Sequence, residues 1–257
     1  MARTSDKQPE RHLSNGPLGA RASRISALLA EEYPGSAGEL CALHHEGPFQ
    51  LLCATILSAQ CTDERVNMVT PALFAAYRGA GELAAADPAE VETLIKSTGF
   101  YRSKATHLVA MSRALAELGD ASPSAFPTTM AELTSLPGVG RKTANVVRSV
   151  ALGLPGLPVD THVLRVSKLL GLTRHTDPVK VEADLCALVP EHGWGTLSLR
   201  LIQHGRQVCV ARRPRCDACI LAELCPSAQL GEHLPASRGP ATTRSRSRPS
   251  KRAGAGP

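Results

Sequence analysis

Apolar residues recur three and four positions apart along most of the chain, the period of an amphipathic helix, and the β-branched and aromatic runs of a strand are scarce. Ile25, Leu28 and Leu29 share one face of a first helix that Ser23 can cap and that Pro34 and Gly35 end. The next helix begins at Pro48, a favoured first-turn residue, and places Phe49, Leu52, Cys53, Ile56 and Leu57 on one stripe. Asp87, Pro88 and Glu90 supply a cap, a first-turn proline and an acid able to reach back to that cap. The pattern predicts further helices over 101–118, 129–135, 141–152, 161–170, 178–188 and 193–207. The expected fold class is all-α, with short Gly- and Pro-marked connections.

At 257 residues and 43% hydrophobic composition, the chain can bury substantial cores without disulfide staples. No apolar run reaches the ~18 residues of a membrane span, and the N-terminus lacks the apolar segment of a secretory signal. The expectation is a soluble cytoplasmic protein with no membrane partner. Residues 1–22 and 231–257 are poor in apolar side chains and are expected to be disordered tails. The net charge of +6 is uneven: residues 1–24 carry +3, residues 234–257 carry +6, residues 25–132 carry −7 and residues 133–233 carry +4. A polyanion would therefore meet the tails and the second half of the core.

That second half holds the string Leu136-Pro137-Gly138-Val139-Gly140-Arg141-Lys142. Gly138 and Gly140 permit positive φ and close backbone approach, and the helix that follows directs its free N–H groups and positive dipole end at the turn. A phosphate suits such a place, and so does an ordinary tight helix connection. The dipole opposes the protonated form of an amine at Lys142, and a neutral amine is a nucleophile able to attack a sugar C1′ or a carbonyl and form a Schiff base. Phosphate contact is the alternative role. Eighteen residues later Asp160, in the string Val159-Asp160-Thr161-His162-Val163, stands where a carboxylate caps a helix, and the two side chains could face one cleft.

Four of the eight cysteines crowd into seventeen residues: Cys209, Cys216, Cys219 and Cys225, spaced C-x6-C-x2-C-x5-C. Zinc usually takes two close pairs separated by a longer insert, whereas one CxxC flanked by two thiolates suits a cubane iron–sulfur cluster. Arg212, Arg213 and Arg215 lie between the first two ligands and offer either a solvated loop or a phosphate-binding surface. Cys41, Cys53, Cys61 and Cys186 stand singly and read as small buried apolar residues.

The LPGVGRK and VDTHV strings resemble the active-site signature of the endonuclease III family, and the cysteine spacing resembles its [4Fe–4S] loop. Over roughly residues 23–230 the resemblance implies two helical lobes flanking a DNA cleft: a six-helix barrel with a helix-hairpin-helix over 41–153, and a cluster lobe from 23–40 with 154–230. It implies Lys142 as nucleophile and Asp160 as the acid/base group of a monomeric DNA glycosylase/AP lyase. The substrate implied is double-stranded DNA containing oxidised pyrimidines or abasic sites. Gln60, in Leu57-Ser58-Ala59-Gln60, matches the residue that fills the space of an extruded base, and Phe100 takes the place of an apolar wedge where the family is expected to carry leucine. Gly138, Gly140, Arg141 and the three loop arginines are the other DNA-contact candidates. An adenine-mispair glycosylase is disfavoured by Lys142 and by the lack of a matching Glu near Gln60; a non-catalytic iron–sulfur DNA-binding protein is the rival outside catalysis.

The six basic residues of 234–257 read as a solvated tail or, second, as an arm that adds sequence-independent attraction to phosphates. A chain ending at residue 233 should bind duplex DNA more weakly and lower the salt slope of log K by at most roughly 5. Titration at several salt concentrations checks this, and borohydride trapping on saturating abasic DNA should survive the deletion.

Overall fold

The computed structural model describes residues 16–119 and 126–229, and among these residues there are helices and connections but no strand. In chain order the α-helices are α1 (Pro17–Glu32), α2 (Ala37–Leu40), α3 (Pro48–Leu57), α4 (Asp63–Ala76), α5 (Ala80–Ala84) and α6 (Pro88–Ile95). They continue with α7 (Tyr101–Glu117), α8 (Met130–Ser135), α9 (Arg141–Val146), α10 (Thr161–Leu169), α11 (Pro178–Leu188) and α12 (Trp194–Gln207). The all-α expectation holds, and none of these helices is long and apolar enough to cross a membrane. The C-terminal tail expected over 231–257 and the first fifteen residues of the N-terminal one lie outside the described residues.

Local chemistry explains most of the boundaries. Pro48 opens α3, Asp87 accepts from the Ala89 N–H at the start of α6, and Thr129 with Glu132 forms a capping box on α8. Three expectations need correction. Ser23 lies inside α1, which opens at Pro17 after Gly16, so the expected tail 1–22 overlaps helix, and Gly19 and Ala22 are buried in it. Glu90 does not reach back to its cap; it accepts from the Tyr77 hydroxyl at 3.1 Å, a tertiary partner that the local pattern does not contain. The helix expected over 141–152 is α-helical only to Val146 and continues as a π-turn from Val147 to Ala151. Helices α2, α4 and α5 were not among those expected; α4 holds Pro71 in its interior and α2 and α5 are very short.

Two groups of buried side chains form. One runs from Leu43 to Val147 and is built on α3, whose residues Leu51 to Leu57 are all buried rather than striped. The other joins Ala22, Ile25, Leu29 and Leu40 to residues between Leu157 and Leu221. Half-buried Val150, in the π-turn, packs against both.

Leu108 is fully buried in the first group, whereas Leu118 is 56% exposed. Leu108→Ala should cost about 2–5 kcal/mol and Leu118→Ala less than about 0.5, read as the shift in urea midpoint at unchanged slope.

Candidate active site

The turn between α8 and α9 is anchored from below by buried Leu136 and Val139, with the Val139 N–H donating to the Leu136 carbonyl at 3.1 Å. Gly138 has φ +78°, and a Cβ there would stand 2.9 Å from that of His107, so both backbone and space demand glycine. Gly140 departs from the expectation: its φ is −91°, ordinary extended backbone, and nothing lies within 4 Å of where its Cβ would be. It is the N-cap residue of α9, with no side chain bonded to the helix's first N–H groups. Lys142 is exposed in the first turn of this helix.

Arg141, expected at a phosphate, is committed elsewhere. Its Nε and Nη2 donate to the two carboxylate oxygens of buried Glu182 on α11 at 2.8 and 2.7 Å. This bidentate pair clasps the hairpin to the second core.

After the π-turn the chain reverses and retraces the helix. Leu154 donates to the Arg148 carbonyl at 2.8 Å, and Arg148 Nε donates to the Pro155 carbonyl at 3.0 Å. Gly156 then lies so close that a Cβ would fall 2.7 Å from the Asn145 carbonyl oxygen. Two residues forward along the return match three residues back along the helix, so the path heads for the turn that carries Lys142. It is pinned by the Ser198 hydroxyl, which donates to the Pro158 carbonyl, and ends at Asp160. Asp160 caps α10 through one oxygen: Oδ1 accepts from the His162 and Val163 N–H groups at 2.8 and 2.9 Å. Among the described residues Oδ2 accepts from none.

Gln60 and Phe100 are the two non-glycine residues with positive φ among those described, at +53° and +48°. Phe100 is 67% exposed despite its apolar ring. Both line one cavity of about 300 Å³, together with Lys104, His107, Gly138 and Thr143, the neighbour of Lys142. The sequence did not single out Lys104, His107 or Thr143; their only signal was proximity to the chosen strings.

All four loop cysteines, Cys209, Cys216, Cys219 and Cys225, line a second cavity of about 260 Å³. Among the described residues, no three His, Cys, Asp or Glu side chains are close enough to hold a single metal ion. The thiols surround a space suited to a larger group. Burial pushes the Cys209, Cys219 and Cys225 thiols upward. His204 is pushed down to about 4 by burial and stays neutral, its Nε2 3.4 Å from Cys219 Sγ and its Nδ1 3.2 Å from the Tyr33 hydroxyl. Arg165 donates to the Cys209 carbonyl. Arg212 and Arg213 are exposed, whereas Arg215 donates to the Gln207 carbonyl and helps close the loop.

Residues 209–225, which begin and end on the outer two cysteines, match the iron–sulfur binding domain of endonuclease III, and residues 53–191 match the HhH-GPD superfamily of base excision DNA repair proteins. An endonuclease III from a Synechocystis strain is 53% identical over 210 residues, 81% of this chain and 93% of its own. This chain belongs to the endonuclease III family. The Escherichia coli K12 endonuclease III is 38% identical over 213 residues, covering 80% of this chain and 95% of that one. A solved structure described as a trapped endonuclease III–DNA covalent intermediate superposes with a TM-score of 0.74 at 41% identity, covering 82% of this chain and 96% of that one. As a member of the endonuclease III family the protein is a DNA glycosylase/AP lyase of base excision repair, and its cysteine loop holds a [4Fe–4S] cluster.

The two hairpin glycines should separate in their tolerance of a methyl group. Gly138→Ala combines a left-handed backbone with the His107 contact and should cost more than about 1 kcal/mol, whereas Gly140→Ala should stay within about 1 kcal/mol. Thermal unfolding of both variants checks the difference.

Proposed function

We propose that Lys142 attacks C1′ of a damaged pyrimidine nucleotide and that Asp160 carries the proton traffic of that displacement. The observation that supports this most is the return of the chain along the Lys142 helix to Asp160, whose capping bonds occupy one carboxylate oxygen and leave the other. The amine's lone pair forms the C1′–N bond as the glycosidic bond breaks and its electron pair leaves with the base. Asp160 takes a proton from the amine and passes it to O4′ as the C1′–O4′ bond breaks, so that the sugar ring opens to a protonated Schiff base. The cationic imine acidifies the C2′ proton; its removal expels the 3′ phosphate, and the strand is cut on that side. The bound cluster keeps the basic loop in shape, and no step of the chemistry runs through it.

Gln60 and Phe100 are the side chains proposed to enter the duplex, the first in place of the extruded base and the second as a wedge. Gly138, Gly140, Arg212, Arg213 and Arg215 are proposed to meet phosphates, with Arg215 also holding its loop and Arg141 serving chiefly as a clasp. The lobes are taken as residues 41–153 and as 23–40 with 154–230, with DNA across the cleft between them. We read the enzyme as a cytoplasmic monomer associated with the nucleoid, in keeping with its bacterial relatives. A covalent complex with DNA is what one structural neighbour's description names for that protein, and the present reading assigns the corresponding bond here to Lys142.

Incubation with duplex containing thymine glycol or an abasic site, with borohydride, should give a covalent protein–DNA adduct. Lys142→Ala should abolish it, and Asp160→Asn should slow its formation roughly 10²- to 10⁴-fold. No adduct on either substrate overturns the lyase assignment, and a full-rate adduct in Lys142→Ala moves the nucleophile elsewhere.

A further inference from the structure

Lys104 is 4% exposed, and among the described residues no carboxylate forms an ion pair with it. Its Nζ donates to two carbonyls, those of Leu57 and Thr98, each at 2.8 Å. Leu57 is the last residue of α3, and Thr98 is the last residue of a 3₁₀ turn over Lys96–Thr98. Two helical C-termini, each carrying unpaired carbonyls and the negative end of a dipole, thus converge on one ammonium. The main chain of the same residue acts too: its N–H donates to the Phe100 carbonyl at 3.1 Å. Gln60 follows Leu57 by three residues and Phe100 follows Thr98 by two, and both stand in left-handed backbone. Side chains larger than glycine hold that conformation only where their surroundings fix it. Lys104 also lines the cavity that both tips border. Burial pushes its amine below the usual lysine range, a shift that nearby Cys61 opposes.

We infer that Lys104 is a positioning residue that fixes the spacing between the Gln60 and Phe100 tips, so that the two enter the duplex as one unit. This rests on the reading of those residues as inserting groups. Lys104 touches neither the sugar nor the base; its effect passes through the tips. Misplacement of a reacting geometry by about 1 Å costs on the order of 100-fold, and that sets the scale of the expected loss.

The test is a double-mutant cycle on the cluster-loaded enzyme. Single-turnover excision from a thymine glycol duplex is measured for Lys104→Met, Gln60→Ala, Phe100→Ala and the two double variants. Borohydride trapping on a single-stranded abasic oligonucleotide, which has no stack to open, serves as the reference rate. Lys104→Met should lower duplex excision relative to that reference roughly 10- to 100-fold. Its loss should largely merge with that of Phe100→Ala, because a tip already removed cannot be misplaced. A duplex-to-single-strand ratio equal to that of the wild type, or losses that multiply in the double variants, overturns the inference while the insertion reading stands. If Gln60→Ala and Phe100→Ala both excise at the wild-type rate, the insertion reading itself fails and takes this inference with it. Should Lys104→Met not retain cluster absorbance, Lys104→Arg, which keeps a cation with at least two donors but displaces it, carries the same cycle: merged losses support the inference and multiplying losses overturn it.

Discussion

The molecule depends on how closely residues 152–160 lie against the helix they leave. That contact has no side-chain cushion: at Gly156 the backbone rests on the Asn145 carbonyl, and beyond it the Gly195 backbone sits against Ser149, where a Cβ would come within 2.6 Å of the serine's own. Because the return is so tight, α12 can approach the π-turn, and Val150 is shared by both cores. The π-turn belongs to the same arrangement. Its wider winding, with the Leu152 N–H on the Val147 carbonyl, redirects the helix end at the place where the chain must double back. A looser reversal would separate the hairpin that carries Lys142 from the cap that carries Asp160.

Arginine serves inside the molecule as much as on its surface. Arg141 grips Glu182, Arg206 pairs with Asp63 at 2.8 Å across the two cores, and Arg200 donates to the Tyr33 carbonyl. A planar fork with several donors suits such clasps better than an ammonium does. These three of the twelve basic side chains in residues 133–233 are therefore anchored within the fold rather than left to meet a polyanion.

Much of this was legible in the sequence because it is local. Proline at a first turn, a capping aspartate and the cysteine spacing act within a few residues, and α3, α6 and the 209–225 loop follow from them. The expected endpoints of α7, α8, α10, α11 and α12 lie within a residue of those found. What escaped is tertiary. Glu90 left its cap for Tyr77, Arg141 left the phosphate-facing turn for Glu182, and Ser23 does not cap because burial of Gly19 and Ala22 extends α1 backward. Lys104 carried no signal beyond its nearness to Phe100, since a lysine in an amphipathic pattern normally faces water and only the convergence of two helix ends gives it a place inside. The left-handed backbone at Gln60 and Phe100 was equally invisible, both being residue types that rarely adopt it.

Arg21 on α1 donates to the carbonyls of Leu170 and Gly171 and also to that of Leu224, 203 residues further along the chain. The first of the described helices is thus stitched to the last turn of the cysteine loop. At a synthesis rate of about 5–20 residues per second, Ile25 and Leu29 wait on the order of ten to forty seconds for the partners that will bury them. During that interval the core built on α3 can already close, because its members end at Val147. Assembly is consequently ordered by geometry: the core built on α3 can close while α1 is still unpaired, and α1 is secured only when the cysteine loop has been made.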